Sequence, residues 1–295
     1  MRPIIIAIAS GKGGVGKSVI ASSISMYLSQ LDFNVLSVDL DFGCANLHTL
    51  LGESSPSRTL SQFVKGSISN INELVIKTAV KNLSLISGAY DDVDFNYIPT
   101  TKVIDMMRQL RFSKSDYIVL DLGAGNSEQT QLIFNSSDKK ILVTTPDLLA
   151  MENIHRFAKL SFLNQFKMIK ENLKVNKNFS KTIKESERKI ESPAEFLAEM
   201  SILSEDVACE IKNYLEQNEL YILVNKAKKV EDKYVADNIV RLYKKYLGLN
   251  AISLGSLDYS NELEDIVRSR KIALKEKKEL HFINDLKDLT LKMIA

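Results

Sequence analysis

Cysteine is nearly absent, and the little there is cannot form a known framework. Cys44 and Cys209 are the two cysteines in 295 residues. They lie far apart and match no metal-ligand or disulfide spacing, which points to a reduced, cytoplasmic setting. No C-x-x-C pair occurs, which argues against a metal cluster carried on such a pair. Charge of one sign is also lacking. The formal net charge is +2, so no global basic field argues for nucleic acid. There is no apolar run long enough to span a bilayer, and the first strand begins at once, with no signal peptide before it. What is present is an ordinary globular composition, 45% hydrophobic and 26% charged. That suffices for one large core, or a core with an appendage.

One stretch organises the chain: Ser10-Gly11-Lys12-Gly13-Gly14-Val15-Gly16-Lys17-Ser18. The apolar run at residues 3–9 precedes it and reads as a buried strand. Residues 18–30 follow, with Ile20, Ile24, Tyr27, Leu28 and Leu31 at helical spacing. Strand, glycine loop and helix form the setting in which G-x-x-x-x-G-K-[ST] binds phosphate. Glycines let successive N–H groups turn inward, and the helix N-terminus adds partial positive charge. Gly11, Lys12, Gly13, Gly14, Val15, Gly16, Lys17 and Ser18 are therefore the expected nucleotide-phosphate residues. Lys17 is placed to reach the β- and γ-phosphates, and the Ser18 hydroxyl to ligate Mg²⁺.

Carboxylates follow two further predicted strands. Residues 34–38 lead into Asp39-Leu40-Asp41, and alternation puts both aspartates on one side. Carboxylates past the C-terminal end of a parallel strand face the ligand crevice. Asp39 is expected to support the Mg²⁺ hydration shell, and Asp41 to orient or activate an attacking water. Residues 115–121 form an apolar strand that delivers Asp121 to Mg²⁺, a Walker B arrangement. Gly123 and Gly125 follow in Leu122-Gly123-Ala124-Gly125-Asn126, where backbone N–H groups are expected to sense the γ-phosphate, a switch II role.

The loop pattern K-G-G-V-G-K-S, with its additional Lys12, resembles the deviant Walker A motif of the MinD/ParA ATPases. Asp39 and Asp41 continue as a D-x-D-x-G-x-x-N-L pattern that resembles the same family's switch I. The spacing T-L-S-x-F (from Thr59) to N-L-S-L-I-S-G (from Asn82), and the D-x-G-A-G form at Asp121, resemble the flagellar-number regulators of the MinD group, FlhG or YlxH. The resemblance covers residues 1–165 and 218–270. It implies an ATPase that binds ATP with Mg²⁺ between two facing protomers, with Lys12 reaching the partner's nucleotide; a solvated loop lysine is the other reading. By the same resemblance Asn225 recognises adenine, its amide offering donor and acceptor. Asp258 is the acidic residue near the base, although the proline that relatives carry at 256 or 257 is missing here.

The predicted architecture is a three-layer α/β P-loop NTPase fold with a mainly parallel central sheet. Strands at 83–86, 139–145, 219–224 and 251–254 and helices at 100–110, 148–168 and 233–247 complete it. A charged helical insertion at about residues 166–217 interrupts the domain spanning 1–270. It is read either as a basic surface for a partner or as a solvated appendage. Residues 271–295 form a tail whose Phe282, Ile283, Leu286, Leu289 and Met293 make an amphipathic stripe. In the resembled family such a helix binds the membrane when ATP is loaded. Residues 281–295 carry two lysines and two aspartates, so lipid attraction is weak, and packing on the chain's own core is the competing expectation.

The resemblance thus implies a Mg²⁺-dependent switch that forms an ATP-dependent homodimer and hydrolyses ATP slowly. It would be cytoplasmic, peripheral on the inner membrane surface when ATP-bound, and would control flagellar number or placement through a protein partner. The alternatives are ParA-type DNA segregation, with DNA the less favoured partner, and a MinD-type division-site ATPase.

Overall fold

The computed structural model describes residues 2–41, 45–54, 56–88, 98–172, 218–268 and 281–294, with residues 201, 202, 205, 209, 212, 213 and 216 between them. Part of the segment that resembles switch I (Phe42, Gly43, Cys44) and most of the insertion lie outside them.

The described strands are β1 (Ile4–Ala9), β2 (Val35–Leu40), β3 (Ile76–Lys77), β4 (Leu83–Ile86), β5 (Tyr117–Leu122), β6 (Lys139–Thr144), β7 (Leu220–Ala227) and β8 (Ala251–Asp258). They form one eight-stranded sheet in the order β3-β4-β2-β5-β1-β6-β7-β8. Every pairing is parallel except that of β3 with β4. The helices are α1 (Lys17–Gln30), α2 (Leu47–Leu50), α3 (Leu60–Val64), α4 (Thr100–Leu110), α5 (Glu128–Asn135), α6 (Leu148–Asn172), α7 (Val235–Leu242), α8 (Asn261–Arg268) and α9 (His281–Ile294).

β1 is the middle of the sheet because its residues are apolar on both faces. Ile5, Ala7 and Ala9 join the core under α4 to α7, while Ile6 and Ile8 join the core under α1 and α9. A strand buried on both sides loses the polar alternation of an edge strand, which is how it was recognisable as a run. β2 and β5 pair in register so that Asp39 lies opposite Asp121. This pairing gathers the acidic residues of two strands beside the loop that follows β1.

The predicted strands are found, with longer ends. β7 continues through Asn225 to Ala227, and β8 continues through Gly255 to Asp258, where the sequence suggested loop. Register shifts after Ile222 and after Val224 absorb irregular residues, so pairing resumes beyond them. The helix expected at 233–247 is composite. A 3₁₀ turn (Glu231–Tyr234) leads into α7, and a π-helical turn (Tyr243–Leu247) ends at Gly248 with φ 60°. α3 starts directly after Thr59, with Thr59 and Gln62 closing a capping box.

α1 is buried on nearly every side. Its serines make this possible, being small and self-satisfying: Ser25 donates to the Ala21 carbonyl at 2.8 Å, and Ser25 and Ser37 share a bond of 2.7 Å. One flank of α1 meets the sheet and another meets α9. Phe282, Leu286 and Met293 are 3%, 1% and 1% exposed, in the same core as Ile20, Ile24 and Leu28 of α1. Leu289 packs against that core, Thr290 is buried with its hydroxyl donating to the Leu286 carbonyl at 2.8 Å, and Lys292 donates to the Ser253 carbonyl of β8 at 2.6 Å. The Ile283 side chain lies outside the description. Of the two expectations for the tail, packing on its own core is the arrangement in this structure. Among the described residues no helix is long and apolar enough to cross a membrane.

A docked α9 carries a stability consequence. Leu286→Ala should lower the unfolding free energy by about 3 kcal/mol, within the range for truncating a buried leucine. Chemical denaturation measures it directly. A tail free in solution would show no change.

Candidate functional site

The loop between β1 and α1 takes its shape from two glycines with left-handed backbone. Gly14 has φ +78° and Gly16 φ +96°. At Gly16 a Cβ would also stand 2.4 Å from the Asn225 amide nitrogen, so no other residue fits. Gly16 is the residue before the first turn of α1, and Lys17 opens the helix, only 6% exposed. Val15 is buried in the core under α1. Ser18 is half-buried one residue further on. The loop therefore presents exposed Lys12, Gly13 and Gly14 at its outer rim and a buried ammonium at its base.

Below the loop stand the carboxylates. Asp121 is fully buried near the end of β5, and among the described residues the Ser18 hydroxyl and the Lys17 ammonium are the groups that attend it, with no backbone N–H on either oxygen. Burial pushes its pKa up to about 6, with nearby Asp41 raising it and the Ser18 hydroxyl and Lys17 ammonium holding it down. Asp39, also fully buried, is raised well above the ordinary carboxylate range by burial and then by Asp121. It is engaged by backbone on both sides: its two oxygens accept the Asp41 and Leu47 N–H groups, each at 3.1 Å. Asp39 thus brackets the segment between β2 and α2, and this bracketing was not legible from its position after a strand. Asp41 is half-buried, and a Cβ on Gly123 would come 3.7 Å from its carboxylate. Gly125 donates its N–H to the Ser10 carbonyl at 3.1 Å, tying the segment after β5 to the start of the loop. A Cβ on Gly13 would meet Ala124 at 4.0 Å.

A buried carboxylate short of donors is costly unless a cation completes its surroundings. Asp121, beside Ser18 and Lys17, fits Mg²⁺ on that ground. Asp39 fits a supporting place, with its two N–H contacts already made.

Lys12 lies 3.6 Å from Asp147 of its own chain. Asp147 caps α6, accepting the Ala150 N–H at 2.9 Å, and also accepts the Thr145 hydroxyl. The pairing of Asp147 with Lys12 was not legible from the sequence. A cavity of about 580 Å³ opens here, bordered by Lys12, Gly13, Gly14, Asp147, Lys226 and Lys228. A second cavity, of about 270 Å³, is lined by Gly16, Val19, Asn225, Asp258, Tyr259 and Leu263. It brings together the two residues expected near the base. Asn225 is 5% exposed and gives a donor to the Val15 carbonyl at 2.8 Å, so part of its amide serves the loop. Asp258 pairs with Lys233 at 3.2 Å. Tyr259 and Lys226 were not expected from the sequence; nothing in spacing or composition distinguishes either one.

Leu286, Leu289 and Met293 border neither cavity and line a small gap of about 10 Å³ against Ile24 and Leu254.

Residues 3–193 match the family model ParA, described as NUBPL iron-transfer P-loop NTPase. The flagellum site-determining protein YlxH of Helicobacter pylori is 34% identical over 162 residues, 54% of each chain. The chain spans about half the length of the curated relatives it matches. In fold it is similar to the septum site-determining protein MinD of Pyrococcus horikoshii, solved with Mg-ADP, with a TM-score of 0.67 at 18% identity over 98% of this chain and 95% of that one. The MinC:MinD cell division complex of Aquifex aeolicus gives a TM-score of 0.65 at 18% identity, over 99% and 96%.

The raised pKa of Asp121 carries a sign that can be measured. The folded state holds this proton more tightly than an ordinary carboxylate, so its contribution to stability falls as pH climbs through about 6. Asp121→Asn should therefore stabilise the nucleotide-free protein by about 2 kcal/mol at pH 8 and about half of that at pH 5. Urea unfolding at the two pH values tests this. A gain independent of pH would show that Asp121 is not held against desolvation.

Proposed function

The chain belongs to the ParA/MinD family of P-loop NTPases, and on that footing we propose that it is a Mg²⁺-dependent ATPase working as a slow, dimerising switch. The observation that carries this reading is the buried Asp121 carboxylate, short of donors and beside Ser18 and Lys17, beneath the glycine loop.

In the proposed mechanism the loop N–H groups and the positive end of α1 bind the phosphate oxygens. Lys17 lies buried at the loop's base, where low dielectric strengthens its attraction for developing negative charge. Ser18 and Asp121 would hold Mg²⁺, with Asp39 in support; the ion supplies charge neutralisation between the phosphates. Asp41 accepts a hydrogen bond from the attacking water and orients it toward the γ-phosphorus. Asp39 contributes by fixing the backbone on either side of Asp41. The cavity bordered by Asn225 and Asp258 receives the adenine. Its apolar wall of Val19 and Leu263 suits a flat ring, and the amide of Asn225 suits a base edge.

Lys12 is held by Asp147 within its own chain. In the proposed dimer it exchanges this exposed pair, of small energetic worth, for the partner's phosphates. The tail follows the same logic. With α9 docked on α1 and β8, its stripe of Phe282, Leu286 and Met293 is unavailable to lipid, so membrane binding through that stripe requires release of the helix in the ATP state. Control of flagellar number or placement is the proposed cellular role. Its support is the D-x-G-A-G segment at Asp121 together with the likeness to YlxH.

Phosphate release separates these roles. Lys17→Ala should reduce turnover at least 100-fold. Asp41→Ala should retain ATP binding while turnover falls by a similar factor, leaving an ATP-bound dimer visible by light scattering. Normal hydrolysis by Asp41→Ala would remove the water-orienting role. That trapped form should sediment with anionic vesicles in ATP and not in ADP, and lose this on removal of residues 281–295. Failure to sediment in either nucleotide would leave α9 a purely structural helix.

A further inference from the structure

Among the described residues of this site, Lys226 is the non-glycine residue with a left-handed backbone. Its φ is +62°, in the left-handed region that lysine seldom adopts. It falls where the β7–β8 register slips between Val224 and Ala227. The slip sends its side chain toward the phosphate loop, and its ammonium donates to the Gly14 carbonyl at 3.1 Å. The preceding residue, Asn225, donates to the next carbonyl, that of Val15, at 2.8 Å. Two consecutive residues of β7 therefore hold two consecutive carbonyls of the loop.

The consequence follows from peptide geometry. In a planar trans peptide the C=O of one residue and the N–H of the next point in opposite directions, and no cis peptide occurs among the described residues. A Gly14 carbonyl drawn to Lys226 turns the Val15 N–H the other way, and a Val15 carbonyl drawn to Asn225 does the same for the Gly16 N–H. The loop does not hold this orientation by itself, because Gly14 has almost no backbone preference. Lys226 also lies 4.0 Å from Glu264 of α8 and borders both cavities.

We propose that Lys226 is a positioning residue that pins the Gly14 carbonyl, so that the Val15 N–H is aimed at phosphate before nucleotide arrives. The inference rests on the nucleotide-binding reading above. Preorganisation of this kind removes an ordering cost from binding, so it acts on affinity for any ligand with phosphates in the loop. Backbone strain at Lys226 is retained because relaxing it would swing the ammonium away from Gly14.

The test uses ADP and ATP as probes, with Mg²⁺, by titration calorimetry on wild type, Lys226→Met, Lys226→Gly and Lys226→Arg, alongside thermal unfolding without nucleotide. Glycine adopts φ +62° without penalty, so Lys226→Gly should unfold at the wild-type temperature or above. It should nevertheless bind both nucleotides at least tenfold more weakly, as should Lys226→Met, while Lys226→Arg recovers most of the affinity. A role in folding alone would lower stability and affinity together in Lys226→Gly, and that result overturns the proposal. So does binding within twofold of wild type in both Lys226→Met and Lys226→Gly. Wild type that binds neither nucleotide would overturn the nucleotide-binding reading itself, and the proposal with it.

Discussion

A positive side chain and two carboxylates buried side by side are the constraint on which this structure turns. Lys17, Asp39 and Asp121 are each nearly or wholly removed from solvent. In an apolar interior such charges are expensive, and the cost is tolerable only where partners are fixed in place. The sheet supplies that fixity. β1 lies beside β5, and β5 beside β2, so the loop after β1 and the carboxylates of both neighbours converge at one end. Asp39 finds its partners in two backbone N–H groups. Asp121 receives no backbone N–H among the described residues, and this inequality between adjacent carboxylates is what a cation would fill.

The same loop depends on elements distant in sequence. Its beginning is tied to the segment after β5 through Gly125 and Ser10. Its middle is held by Asn225 and Lys226 of β7. Its rim is linked to α6 through Lys12 and Asp147. A change of charge in the loop therefore has mechanical routes to the segment after β5, to the base cavity and to the helix that leads into the insertion. α1 adds another, since it begins at Lys17 and carries α9 on its flank.

Much of this was legible because chemistry and periodicity coincided. The glycine–lysine pattern, the apolar strand ending in Asp121 and the paired aspartates after β2 each combine a local structural signal with a residue type of narrow use. The amphipathic stripe from Phe282 to Met293 was equally visible, but a stripe states only that one face is apolar and does not say whether core or lipid covers it. α1 supplies the missing information. A helix buried on nearly every side needs a cover, and α9 provides it. The extra residues of β7 and β8 were hidden because register slips are cooperative with the neighbouring strand and leave no periodic trace.

The sequence by itself determined the order of strands and helices, the phosphate loop and the identity of the acidic residues below it, since these follow from nearest-neighbour propensity and side-chain type. Only the tertiary structure decided which carboxylate is satisfied and which is left open, where the tail packs, and that Lys226 reaches Gly14. These depend on contacts between segments up to two hundred residues apart, and on a left-handed lysine backbone that only a slipped strand pairing can impose.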